Sequence, residues 1–240
     1  MTSETSSESS PSSQLQDLEN FLQLLHDNGV LERIIIVGSW CVYFYKNVYF
    51  DGKELMALRT NDVDVLLPKP LRVSPKIDLS KMLLEMGYQY IGARSGYGEK
   101  YAKAELEIEF LTHQAGAGRP KSNRFSDISI NAQGLDFMNL LQANTINLTY
   151  KGKTIVLPKI EAFILQKMLV LKERSAEKRE KDIRILQSLI DFVKTVPDLV
   201  GSFIALYNDF SKGWKTKVIK NAKNYVPELL ELLNQPKGNN

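Results

Sequence analysis

A short apolar run that stops on glycine, followed later by two aspartates in a second apolar run, constrains this chain more than any other feature. Ile34-Ile35-Ile36-Val37 reads as a buried strand that breaks at Gly38-Ser39. Trp40, Tyr43, Phe44 and Val48 then recur at helical spacing, so Gly38 and Ser39 are expected at a strand-to-helix turn with outward backbone N–H groups. Such a turn suits a phosphate, because a helix start supplies both donors and partial positive charge. In Asp62-Val63-Asp64-Val65-Leu66-Leu67 the apolar residues describe a second buried strand, and the two-residue spacing sends both carboxylates from one face. Adjacent carboxylates repel, and a divalent cation relieves the repulsion. A phosphate cradle beside a metal-holding carboxylate pair is equipment for phosphoryl or nucleotidyl transfer.

Val37-Gly38-Ser39 and Asp62-Val63-Asp64-Val65 together resemble the signature of the DNA polymerase β-like nucleotidyltransferase superfamily. The 22 residues between Ser39 and Asp62 exceed the spacing usual there, so Asn47 to Arg59 is expected as a loop or extended helix beside the site. The resemblance also implies a third carboxylate on a neighbouring strand. Glu105-Leu106-Glu107-Ile108-Glu109-Phe110-Leu111 alternates strictly, with glutamates on one face and apolar side chains on the other. Taken alone it reads as an exposed strand with a charged outer face. Beside the aspartates, Glu109, flanked by Ile108 and Phe110, becomes the expected third metal ligand, with Glu107 in reserve.

Composition bounds the remaining classes. An apolar fraction of 43% and a charged fraction of 25% over 240 residues are those of an ordinary globular protein with one large domain or two small ones. No apolar run approaches the ~20 residues of a membrane span. Residues 1–13 are almost all Ser, Thr, Glu and Pro, lack the apolar centre of a secretion signal, and are expected to be disordered in a cytoplasmic protein. Cys41 is the only cysteine, which excludes an internal disulfide and cysteine-based zinc sites; it reads as a small core residue. The charge is uneven, −2 before Lys159 and +5 from there on, so the second half is the one suited to a polyanion or simply a solvated surface.

Further elements follow from pattern. Gln14 to Asn28 reads as an amphipathic helix with Leu15, Leu18, Phe21, Leu22 and Leu25 inward. Ile77 to Met86 reads as a helix, and Tyr88 to Ala93 and Lys100 to Ala104 as strands around Ser95-Gly96-Tyr97-Gly98. His113 to Arg124 reads as a polar loop whose Arg119, Lys121 and Arg124 suit either substrate phosphates or plain solvent. A short strand (Asp127 to Ile130), a helix (Leu135 to Leu141) and a hairpin around Lys151-Gly152 follow. From Pro158 the pattern is helical, with breaks near Arg174, Pro197, Ser211-Lys212-Gly213 and Pro227.

Lys167 shares a face with Ile160, Phe163, Ile164 and Leu171, where an ammonium needs an anion unless it snorkels to water. The carboxylate site with a bound triphosphate is the expected source of that charge. Glu177 to Arg184 is a dense charge run, ordinarily a solvated face. Within the superfamily, Pro158 to Asp182 is similar to the abortive-infection and type IV toxin-like nucleotidyltransferases, which carry a helix lysine and then Lys-Asp on a charged helix. That resemblance implies Lys167 contacting the nucleotide phosphates and Asp182 near the acceptor.

The expected architecture is α+β: a disordered tail (1–13), a catalytic domain with a nucleotidyltransferase-type mixed sheet and helices (14–157), a helical C-terminal domain (158–234) and a loose tail (235–240). The resemblance implies a Mg²⁺-dependent transfer of NMP from an NTP to tRNA, a protein hydroxyl or a small molecule. Asp62, Asp64 and Glu109 would hold two Mg²⁺ ions, Gly38 and Ser39 would receive phosphate, and an antitoxin-like partner is conceivable. A catalytically silent nucleotide- or partner-binding module on the same fold is the alternative.

Overall fold

The computed structural model describes residues 11–49, 60–92, 98–114 and 121–234. The expectations for the first ten residues, the segment after Tyr49, Ser95 to Tyr97, Arg119 and the last six residues lie outside these. The chain forms two compact units, residues 1–138 with 145–157 and residues 139–144 with 158–240.

In the first unit, α1 (Pro11–Asp27) begins earlier than the apolar pattern suggested, at a proline, whose fixed φ and missing N–H suit the first helical position. Leu18, Phe21, Leu22 and Leu25 are fully buried, each contributing roughly 1.5–3 kcal/mol of apolar burial. The chain then runs through β1 (Ile35–Val37), α2 (Trp40–Tyr49) and β2 (Asp62–Leu66). Next come α3 (Leu79–Glu85), capped by Asp78 through its hydrogen bond from Lys81 N, and β3 (Gln89–Tyr90). β4 (Lys100–Lys103), β5 (Leu106–His113), β6 (Ser122–Phe125) and β7 (Ile130–Leu135) follow.

β6 and β7 correct the sequence reading. Residues 122–125 are a strand, although Ser122-Asn123-Arg124 lacks β-formers, because they pair antiparallel with β7. The strand expected at Asp127 to Ile130 starts only at Ile130 and continues to Leu135, displacing the next helix, α4 (Met138–Ala143). In both places cross-strand pairing overrides local propensity.

The seven strands β1 to β7 form one mixed sheet, in which β1, β2, β5, β4 and β3 lie in that order. β5 is the hub. It pairs parallel with β2 along Glu107 to Leu111 and antiparallel with β4 on its other edge, and beyond β4 that edge continues with β7, parallel. Its apolar positions Leu106, Ile108 and Phe110 are fully buried, as are Val63, Val65 and Leu66 of β2. The strict alternation therefore leaves the acidic positions of both strands on the opposite, half-buried face. A separate hairpin, β8 (Thr145–Tyr150) and β9 (Lys153–Pro158), carries Tyr150, whose hydroxyl lies 3.2 Å from that of Tyr43 on α2.

The second unit is helical: α5 (Ile160–Val170), α6 (Ala176–Lys194), α7 (Pro197–Asn208), α8 (Lys212–Tyr225) and α9 (Glu228–Leu233), with breaks where the sequence placed them. Residues Ile160 to Leu169 are buried on every side, so α5 is the core of this unit and packs against α6, α7 and α8. The buried Asn221 of α8 donates to Met168 O at 2.7 Å. Among the described residues no helix is long and apolar enough to cross a membrane.

Candidate active site

The aspartate strand is held by its neighbours on both edges. β1 runs antiparallel to β2 with Val37 opposite Asp64, so the turn at Gly38 and Ser39 rises directly beside the Asp64 carboxylate. Gly38 has φ +71°, in the left-handed region, and a Cβ there would lie 2.0 Å from Asp64 Oδ2. Only glycine permits both the backbone conformation and that approach. α2 starts immediately: Cys41 N donates to Gly38 O and Val42 N to Ser39 O, at 3.2 and 3.1 Å. Ser39 is half-buried ahead of this first turn, where helix N–H groups favour an anion. Cys41 is fully buried, its thiol donating to Ile36 O, as expected of a core residue. Trp40 and Phe44 are buried in the core too.

On the other edge of β2, the parallel register sets Asp62 opposite Glu107 and Asp64 opposite Glu109. Adjacent strands lie about 4.8 Å apart and alternate residues of one strand about 6.6 Å apart, so four carboxylates share a small patch of one face. Gln14 of α1 steadies the entrance to β2, donating to Thr60 O at 3.0 Å, and Glu107 N donates to Asn61 O at 2.7 Å.

β4 adds a residue that pattern reading did not place here. Lys100 stands opposite Glu109 across the β4–β5 ladder, and its ammonium forms an ion pair with Glu107 and lies 3.8 Å from Asp62 Oδ1. Burial pulls the Lys100 pKa down, but the hydrogen bond to Glu107 and the charges of Asp62, Glu107 and Glu109 outweigh it and hold it above the ordinary lysine value. The only signal for Lys100 in the sequence was its place in a short alternating segment, which names a face but not a strand partner.

Carboxylate oxygens are the donors that a hard divalent cation prefers, and Gly38, lacking a Cβ, lets the Asp64 carboxylate lie directly against the turn. The residues therefore suit Mg²⁺ by chemistry and strand register. Their side chains are not gathered around one point: among the described residues, no three His, Cys, Asp or Glu groups are placed to hold a metal ion.

Lys167 and Asp182 come together in the second unit. Lys167, 7% exposed, donates to Asp182 Oδ1 at 2.8 Å, and Arg174 Nε donates to Asp182 Oδ2 at 3.1 Å. Asp182, itself 2% exposed, supplies a counter-charge to Lys167 from the next helix, a source that the sequence reading did not consider. The charge run around Asp182 is otherwise largely solvated, as expected. Arg124 lies 3.7 Å from Glu99, within the sheet. The basic surplus of the second unit gathers on α8, where Lys212, Lys215, Lys220 and Lys223 line an open groove.

The mixed sheet thus presents paired carboxylates beside a glycine turn and a helix start. A family model described as nucleotidyltransferase matches residues 16–199, more than half of the chain, and the chain belongs to that family. The family implies an NTP substrate and an acceptor. No curated protein sequence matches. Among solved structures, the chain is similar to an antigenic nucleotidyltransferase-like protein from Paracoccidioides brasiliensis at 16% identity, over 93% of each chain, with a TM-score of 0.49. It is also similar to ANT(2")-Ia in complex with adenylyl-2"-tobramycin at 10% identity, over 87% of this chain and 97% of that one, with a TM-score of 0.43.

Proposed function

We propose that the protein transfers a nucleoside monophosphate from an NTP to an acceptor hydroxyl with release of pyrophosphate, in a Mg²⁺-dependent reaction. The observation that carries this reading is the parallel pairing of β2 with β5, which sets Asp64 against Glu109 and beside the Gly38 turn. Asp62, Asp64 and Glu109 would hold Mg²⁺, as two ions. When bound, the metal supplies charge neutralisation of the triphosphate and a more acidic attacking hydroxyl. Gly38 lets the backbone approach the phosphates, and Ser39 donates to a terminal phosphate oxygen. In this proposal Lys167 acts toward the nucleotide phosphates and Asp182 toward the acceptor, the roles that the toxin-like resemblance implies.

A catalytically silent binding module is the second reading. It is favoured by the Lys100 ammonium, which already balances Asp62 and Glu107. The two readings separate in one experiment. The full chain is incubated with each α-labelled NTP and Mg²⁺ against total tRNA, whole-cell protein and a small-molecule extract. Transfer of label to one of these, lost in Asp62→Asn/Asp64→Asn, supports the enzyme and identifies the acceptor class; the toxin-like resemblance makes tRNA the first to offer. Tight NTP binding with no labelled product from any source supports the silent module.

A further inference from the structure

We propose that Lys100 is a positioning residue that determines which carboxylates a divalent cation can use: it holds Glu107 out of the ligand set and occupies Asp62 until metal arrives. The proposal rests on the reading of Asp62, Asp64 and Glu109 as the metal-holding residues. Glu107 and Glu109 are equivalent by pattern, each flanked by buried apolar neighbours on one strand. Lys100 breaks the equivalence. It enters the face opposite Glu109, yet its four-carbon stem carries the ammonium past that residue to Glu107, where the ion pair is direct, while Asp62 Oδ1 is 3.8 Å away. Of the three side chains Lys100 is the most enclosed, 24% exposed against 36% for Glu107 and 43% for Asp62.

The two contacts differ in how readily they yield. The direct pair with Glu107 is a charge-assisted hydrogen bond, whereas the Asp62 contact is longer than hydrogen-bond range and mainly Coulombic. A divalent cation arriving beside Asp64 would repel the ammonium and take over Asp62, leaving Lys100 on Glu107. The face carries four carboxylates and this ammonium, a sum of −3. Three carboxylates without the ammonium carry the same sum, which is the comparison the test uses.

Mn²⁺ binding to the full chain, followed by the loss of the free-ion electron paramagnetic resonance signal, reads the effect without any turnover. Lys100→Met keeps the length and removes the charge, releasing Glu107 as a further ligand. It should melt lower than wild type in chelator, because the carboxylates then repel unopposed, and it should bind Mn²⁺ about tenfold more tightly, because affinity follows ligand charge count. Lys100→Met/Glu107→Gln restores the −3 sum and should return Mn²⁺ affinity to near the wild-type value. Glu107→Gln alone frees the ammonium for Asp62 and should weaken Mn²⁺ binding. A residue that merely braces the sheet would weaken binding on removal, not strengthen it. Wild-type or weaker affinity in Lys100→Met, or unchanged affinity in Glu107→Gln, overturns the proposal. If Asp64→Asn weakens Mn²⁺ binding while Lys100→Met leaves it unchanged, only the role of Lys100 falls. If Asp64→Asn has no effect either, the metal-site reading falls with it.

Discussion

Lys167→Met offers a sharp test of how the second unit is held. Methionine matches the length of lysine and fills irregular space, so the packing of α5 loses little volume. The charge is what goes. Asp182, 2% exposed, would keep Arg174 as its one cation among the described residues, and that side chain is 36% exposed, so its attraction is correspondingly screened. Removing one partner of a buried ion pair typically costs 3–5 kcal/mol; with Arg174 still in place we expect the lower end, about 3 kcal/mol, or a melting point lower by about 6–12 °C in a chain this long. Lys167→Met/Asp182→Asn removes the stranded carboxylate and should recover much of that loss, a coupling that a double-mutant cycle measures directly. Thermal melts of the four proteins, each with and without Mg·NTP, give both halves of the answer. A Lys167→Met melting point within about 1 °C of wild type would refute the reasoning, since a buried carboxylate that loses one of its two cations cannot be free of cost. A nucleotide-induced shift equal to wild type would make Lys167 a structural residue alone.

Gly38→Ala should destabilise the protein by at least ~1–3 kcal/mol and displace Asp64, because the new Cβ would sit 2.0 Å from its carboxylate on a left-handed backbone; melts and Mn²⁺ titration check it, and an unchanged Mn²⁺ affinity would contradict the cradle. Ser39→Ala removes one phosphate contact among several and should slow transfer by ~10- to ~100-fold in a labelled-NTP assay, whereas an unchanged rate moves the phosphate site away from this turn. Asn221→Leu leaves Met168 O without its donor inside the α5–α8 contact and should cost about 1–3 kcal/mol in urea unfolding; no loss of stability would mean that another donor replaces the amide.

What the sequence revealed and what it hid divide along physical lines. Strict alternation in Asp62 to Val65 and Leu106 to Phe110 names the buried faces, and the glycine break after Val37 names the turn, because period and punctuation are local properties. The breaks at Pro197 and Pro227 were legible for the same reason. The register that sets Asp64 against Glu109 was not, since strand pairing is a non-local choice. Lys100 was hidden likewise: nothing in Lys100-Tyr101-Ala102-Lys103 says that β4 lies along β5. β6 escaped because Ser122-Asn123-Arg124 reads as loop until β7 pairs with it. The partner of Lys167 sits fifteen residues on, across a helix break, inside a run of charges that is otherwise solvated.

The central claim is that the acidic face of β2 and β5 binds a metal-complexed nucleoside triphosphate. Isothermal titration of Mg·NTP into wild type and Asp62→Asn/Asp64→Asn tests it most directly. Both side chains are half-buried on one sheet face, so asparagine keeps their shape while removing the charge, and the variant should remain folded. Circular dichroism in chelator, recorded alongside, shows that the variant is folded. The account predicts saturable binding by wild type, dependent on Mg²⁺, and no measurable binding by the folded double variant. Binding of Mg·NTP by that variant as tight as wild type would contradict it.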